Sequence, residues 1–506
     1  MKRTAALLAS LLLACSRIPA RYLDQPPIAA AHDDAPSPVP RRNELHQHDY
    51  LAEVYMRRPV MDALDASRFP DALDVNAMDE VVRSTWFEPD PARQIDLDGY
   101  GADGPPQPPL SLLEPPRKGV LSVRDARGLP YVLRVDPGVW PEMRTAADAI
   151  TSRIVWSLGY LTPEVHVVGM DEGWFVPPRP QAAAWLGSGP RRVAATRWPQ
   201  GLALGPAPVG LTRDDDPNDR IAHRDRRTLR ALRVLGAWLD LRRLGPEKTQ
   251  DAYVGADGCG HVVHFLSGFE DALGTTRVSA PAASGPRPDC GANPVVNLVT
   301  LGLAPDPPPG PSHRMFRGLG NFEAQVSPEK YRPDLPPYEP ADRMLPADAY
   351  WAARRIMMIP QPVLRACVEG GALTDPGARA RLTEILEARR RTVAAYWMKQ
   401  VSPVRILGAQ GRSLWMRDDA VGAGFADPVE SSYRIEVLDE HGTHVGVAQR
   451  LIPKSGCWWF DLPLSLDDRY LVLRVTGFRA KAPLARAAEF HVLIQHGAAK
   501  LLAMRH

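Results

Sequence analysis

Between Gly119 and Pro137 apolar and polar residues alternate in two short runs, GVLSV and LPYVLRVDP, on either side of a turn at Asp125–Gly128. Strand side chains point to opposite faces in succession, so this alternation around a Gly-bearing turn predicts a β-hairpin. The period then lengthens. In MRTAADAITSRIVWSLGY the residues Ala147, Ile150, Ile154 and Leu158 fall at three- and four-residue steps, the spacing of one helix face, and Pro163 is expected to stop that helix. EVHVVGM and EGWFV return to a strand pattern, and RVAATRWPQG (Arg192 to Gly201) is read as the segment leading out of this first lobe.

A second region is organised around Thr212 to Gly274. Leu229, Leu232, Leu235 and Leu239 stripe a helix whose other face carries arginines, and a strand, a Cys-Gly hairpin, a second strand and a loop follow. The acidic run Asp214–Asp216 ahead of the helix suits turn and capping positions, where short polar side chains accept backbone N–H groups. His223 has no nucleophile near it in sequence and is left without a catalytic role, and the scattered His32, His46 and His48 are read as solvated. Further on, Leu382, Ile385, Leu386, Val393, Tyr396 and Trp397 form a helical stripe, with Arg389, Arg390 and Arg391 expected on a solvated face. After Pro403 the period shortens to two in YRIEVLDEHGTHVGV, CWWFDL, RYLVLRV and EFHVLIQ, which predicts an antiparallel sandwich. In Cys457-Trp458-Trp459-Phe460 one face is expected in the core and the other at a contact between domains, with a ligand platform as the alternative.

Composition adds constraints on partners. Lys plus Arg is 61 against 59 for Asp plus Glu, a net charge of +2, so nothing here favours nucleic acid. Proline is abundant, 52 residues in all, and clusters at Gly104–Pro116, Pro305–Pro311 and Pro333–Pro340, which read as extended connectors. MKRTAALLASLLLAC opens with two basic residues and an apolar run too short to anchor a protein by spanning a bilayer, so it reads as an export signal. Leu12-Leu13-Ala14-Cys15 resembles a lipobox, which makes Cys15 the expected lipidation site and the bacterial cell envelope the expected location. Cys259, Cys290, Cys367 and Cys457 lack C-x-x-C spacing, so no zinc site is expected; a Cys259–Cys290 bridge and buried free thiols are both open. Trp86-Phe87 is read as a pair able to dock on a domain surface.

The stretches VNAMDEV, STWF, ARGLPYVLRVDP, TAADAI, DDPND, AWL, HFL, ALG and ADAYWAARRIM, in that order between Val75 and about Val401, resemble a family of uncharacterised bacterial envelope proteins with a protein-kinase-like fold. The resemblance implies an α+β chain: a two-lobed kinase-like domain followed by a small antiparallel β-sandwich. In relatives that keep the catalytic pattern, the loop after AWL reads Asn-His-x-Asp with a downstream Asn, and the second strand runs into Asp-Phe-Gly. Here Asp240, Leu241, Arg243 and Lys248 stand in the first loop, and Gly268, Phe269 and Glu270 in the second. The strand Lys and helix Glu that hold phosphates in working kinases align with Arg134 and Asp148, expected to tie strand to helix. Without the carboxylates that hold the metal, phosphoryl transfer is not expected, and neither is any cofactor.

The resulting layout is a signal segment over 1–15, an extended segment over 16–74, a first lobe over 75–201, a mostly helical second lobe over 202–402 and a β domain over 403–506. The leading functional expectation is a membrane-anchored pseudokinase acting as a binding or scaffold protein with an envelope protein partner. Its cleft is expected to be closed by an ion pair of Arg243 or Lys248 with Glu247 or Glu270. Metal-free binding of a nucleotide or other anion there is the alternative. Two rivals are an enzyme using relocated carboxylates at Asp214–Asp216, Asp251 and Glu270, and a purely structural envelope lipoprotein.

Overall fold

The computed structural model describes residues 21–23, 31–44, 47–60, 71–117, 119–138, 140–176, 180–187, 189–199, 201–277, 316–334, 337–463, 466 and 468–506. Cys15, His46, Cys290 and the proline cluster at 305–311 lie outside the described residues. The fold is mixed α+β with antiparallel sheets, and the chain divides into two compact units. One holds Ala31–Asp74 and Arg83–Val393; the other holds Val75–Val82 and Ala394–His506 together with the residues before Ala31.

In the first unit, β1 (Ser111–Leu112), β2 (Val120–Arg124), β3 (Pro130–Val135), β4 (Glu164–Met170) and β5 (Arg191–Arg197) form an antiparallel sheet in the order β1-β2-β3-β5-β4. The segment read as leading out of the lobe is therefore its penultimate strand, β5, hydrogen-bonded to β3 on one side and β4 on the other. Glu172–Trp174, expected as strand, is instead a 3-10 turn: the Asp171 carboxylate accepts the Gly173 N–H at 2.9 Å and turns the chain. Leu121, Val123, Tyr131, Leu133, Val193 and Ala195 fill the core on one face of the sheet. On the other face Ala194 and Val165 pack against Ala149 of helix α1 (Met143–Ser157).

The start of α1 is held from a distance. Glu142 at its N-cap has φ 71° and makes no side-chain cap, while the Asp136 carboxylate accepts the N–H groups of Glu142, Arg144 and Thr145 at 2.9–3.0 Å. The helix stops before Pro163, at Gly159. That residue has φ +103°, and a Cβ there would lie 2.7 Å from the Glu88 carbonyl oxygen.

The leucine stripe after Arg226 forms two short helices, α2 (Arg227–Arg230) and α3 (Leu232–Leu239). Two arginines of this stretch, Arg227 and Arg230, turn inward. Arg227 and Arg230 are buried against Asp348, at the N-terminal turn of α4 (Pro346–Met358), at 3.0 and 3.6 Å. The basic run Arg389–Arg391 on α6, which follows α5 (Gln361–Glu369) and spans Pro376–Trp397, likewise splits. Arg389 and Arg390 are buried, and Arg389 donates to the carbonyls of Ala237 and Trp238 at the end of α3, while Arg391 stays exposed. Arginine's planar fork suits this role, because it can satisfy several orphan carbonyls of a helix end at once. A second small sheet, β6 (Leu202–Gly205), β7 (Thr249–Val254) and β8 (His261–Leu266), carries the hairpin that follows α3.

The other unit contains two antiparallel sheets. One is β9 (Val404–Gln410), β10 (Ser413–Asp418) and β13 (Cys457–Asp461) in the order β13-β10-β9. The other runs β12-β11-β14-β16-β17 and comprises β11 (Ser431–Asp439), β12 (Gln449–Leu451), β14 (Tyr470–Arg479), β16 (Ala488–Gln495) and β17 (Ala498–Arg505), with β15 (Ala482–Pro483) on β14. Leu414, Met416, Trp458 and Phe460 from the first sheet share one core with Tyr433, Ile435, Leu473 and Phe490 from the second. Residues Val75–Val82 belong here and not with the first sheet. Met504 N–H donates to Ala77 O at 2.8 Å, Arg505 donates to the carbonyls of Asn76 and Ala77, and His506 lies 2.8 Å from Asp79.

Candidate functional site

Four separate elements bring the sequence-predicted positions together. Arg134 pairs across the sheet with Ala194, and Ala194 faces α1, so the period of two directs Arg134 toward the helix side. Asp148, one position before Ala149 on α1, is fully buried, and its Oδ1 accepts the Phe269 N–H at 2.9 Å. Phe269 follows Gly268, whose φ of +75° lets the chain turn out of β8. Lys248 ends the 3-10 turn Pro246–Lys248 at the entry to β7, and the Ser267 N–H donates to its carbonyl at 2.9 Å.

Lys248 Nζ donates to Asp271 Oδ1 at 2.6 Å and to the Gly268 carbonyl. Both side chains of this pair are more than nine-tenths buried. The partner of Lys248 is thus Asp271, where the sequence pointed to Glu247 or Glu270. Glu270 lies in the field of Arg134, Lys248 and Arg144: burial alone would raise its pKa, yet those cations hold it below the usual carboxylate range. Asp148 moves the other way. Burial and the neighbouring Glu270 push it up to about 6, against the pull of Arg134 and Lys248. Asp271 is also raised, since its burial outweighs the attraction of Lys248. Arg134, Lys248 and Arg144 thereby balance Asp148, Glu270 and Asp271 in one cluster. Arg243 is exposed and contributes to it only as a nearby positive charge acting on Asp271. The anticipated tie between Arg134 and Asp148 is electrostatic, while the direct bond of Asp148 runs to the backbone of Phe269.

The other acidic residues are occupied elsewhere. Asp251 is buried between Arg213 at 3.1 Å and His264 at 2.7 Å, and Arg213 also reaches Asp215 at 2.8 Å. Asp216 accepts the Asn218 N–H in a tight turn and Asp214 is exposed, so the acidic run makes turns and ion pairs but caps no helix. Among the described residues no group of three or more His, Cys, Asp or Glu has the geometry to hold a metal ion. Beside the cluster, a cavity lined by Met143, Ala147, Ile150, Leu273, Leu319 and Leu382 has room for about one water molecule.

Two features escaped the sequence. Trp86 is not a surface dock: it is 1% exposed and stacks on His264 with ring centroids 4.2 Å apart and planes at 9°. His223 meets the Trp86 edge, bonds Asp219 at 2.9 Å and Pro208 O at 2.6 Å, and so serves the interior of the fold. The Asp219 carboxyl, despite burial, is held well below its usual range by His223, His264 and Arg226. Asp271 was the other omission, one residue past the loop that carries the resemblance. Its only signal was an acidic residue within reach of a lysine across a hairpin. Cys259 and Cys457 are exposed free thiols and Cys367 a buried one.

No protein-family model matches this sequence, and no curated protein matches it.

Proposed function

We propose that the chain is a lipid-anchored protein of the bacterial envelope with a kinase-like first unit whose cleft is shut, and that it works by binding a protein partner and not by transferring phosphate. The observation that carries this reading is the Lys248–Asp271 pair, 2.6 Å apart and buried beside the Gly268 carbonyl. In a phosphoryl-transfer site that region holds divalent metal through carboxylates. Here an internal ammonium takes the place of the metal's charge and occupies Asp271 Oδ1 and the Gly268 carbonyl. The order of hairpin, helix and two further strands in the first unit, with Arg134 and Asp148 facing each other across sheet and helix, supports the kinase-like alignment. The rival with relocated carboxylates loses ground because Asp215 and Asp251 converge on Arg213 and leave Glu270 to a different cluster.

Thermal unfolding of the chain from Ser16 onward, with millimolar ATP in magnesium and in chelator, tests the reading, because a ligand that binds only the folded state must raise its apparent stability. No shift in either condition is the expected result. A shift that requires magnesium overturns the closed cleft, and one that survives chelator replaces it with a metal-free anion site.

A further inference from the structure

We propose that the outer face of the β9-β10-β13 sheet binds a glycan by stacking pyranose rings on Trp415 and Trp459. This inference is independent of the cleft. Trp415 and Trp459 are direct cross-strand partners, with ring centroids 6.1 Å apart and planes inclined by 22°. They are 40% and 51% exposed, whereas their strand neighbours Leu414, Met416, Trp458 and Phe460 fill the core. The inner residues hold the sheet, and the two outer indoles keep about half of their surface open to solvent.

What surrounds the pair identifies the ligand chemistry. The register makes a grid on this face: Gln410, Ser413 and Asp461 on one side of the indoles, Arg405, Arg417 and Cys457 on the other, and Gly408 beside Trp415. A Cβ on Gly408 would meet nothing within 4 Å, so the flank of Trp415 is open. A bulge between Trp415 and Met416, with Leu407 as the extra residue on β9, restores the alternation beyond the aromatic row. The polar groups are already oriented. Ser413 Oγ donates to Asp461 Oδ1, and the Arg405 guanidinium forks onto Asp419 at 2.7 and 3.1 Å while Arg417 approaches it at 3.3 Å.

A pyranose ring presents a patch of C–H bonds on its face and hydroxyls around its rim. Electron-rich indole faces attract the former, and planar amide, carboxylate and guanidinium groups bond the latter. An aromatic centre with a carboxylate, an amide and guanidinium groups around it matches that distribution. The charge balance excludes polyanions: Asp461 and Asp419 sit among the basic groups, so the face offers no field for phosphates.

The test titrates the full chain from Ser16 with chitotetraose, cellohexaose and maltohexaose, read by tryptophan fluorescence and by calorimetry. At least one oligosaccharide is expected to bind. Trp415→Ala and Trp459→Ala should each weaken it roughly tenfold or more, with unfolding midpoints unchanged because both rings lie outside the core. Asp461→Asn, which keeps the shape, should change the ranking of the sugars. The proposal is overturned if none of the three perturbs fluorescence up to about 10 mM, or if binding persists in the double tryptophan variant. It is equally overturned if that variant converts a dimer to a monomer, since the face would then join two copies of the chain.

Discussion

Lys248 Nζ lies 2.6 Å from Asp271 Oδ1, and the two residues stand at the two open ends of one hairpin, just before β7 and just beyond β8. Both side chains are buried, so neither can find water when its partner is removed. Lys248→Met is therefore expected to destabilise the first unit by about 3–5 kcal/mol, the cost of stranding a buried carboxylate. Lys248→Met with Asp271→Leu should recover most of that loss. Urea midpoints for the single and double variants give the coupling directly, and additive losses would show that the pair is not a closing bond.

Asp148 has its folded pKa at about 6 against an ordinary 3.8, so the folded state holds its proton more tightly than the unfolded chain does. The sign follows: stability falls as pH rises between about 4 and 6, and the deficit persists above that window, at most about 3 kcal/mol. Asp148→Asn keeps an oxygen for the Phe269 N–H and carries no charge. It should match the parent near pH 4 and exceed it at pH 7, whereas Asp148→Ala loses the bond and is destabilised at both. Urea unfolding of the three proteins across that range would decide.

His491 titrates in the opposite sense. Burial, helped by Arg505, lowers its pKa from 6.5 to about 4, and its Nδ1 is hydrogen-bonded to the Tyr470 hydroxyl at 2.8 Å. The unfolded chain binds the proton more readily, so the C-terminal unit should lose stability as pH falls from about 6.5 to 4, by about 3 kcal/mol at most. An NMR titration of the His491 ring gives the folded value, and a midpoint near 6.5 would remove the effect.

Gly236 lies within α3, and a Cβ placed there would be 2.3 Å from the Tyr331 hydroxyl oxygen and 2.8 Å from its ring. That hydroxyl is engaged with the Leu241 carbonyl. Gly236→Ala gains about 1 kcal/mol of helix propensity. It also forces a buried ring to move, at about 1–3 kcal/mol. Net destabilisation is expected, accompanied by a change in tyrosine fluorescence; a more stable protein would show that the ring yields freely.

Local pattern alone was enough for the hairpin at β2 and β3, helix α1, the hairpin at β7 and β8, and strands β11, β13, β14 and β16, because the periods of two and about three and a half are written in consecutive side chains; β9, β10 and β17 were not read, and the arm Thr443–Val447 read as strand forms no strand. Charged residues misled it. Arg389 read as solvated, yet it is buried because a helix end more than a hundred residues away in sequence supplies its acceptors. Position β5 within its sheet and the pairing of 75–82 with β17 were likewise invisible, since strand neighbours are chosen by long-range closure and not by the strand's own residues. The approximate positions of Arg134, Asp148, Lys248 and Glu270 could be read from order along the chain. That Asp271 takes the lysine, that Trp86 lies inside and that Trp459 faces out with Trp415 depended on register and burial, which only the folded backbone determines.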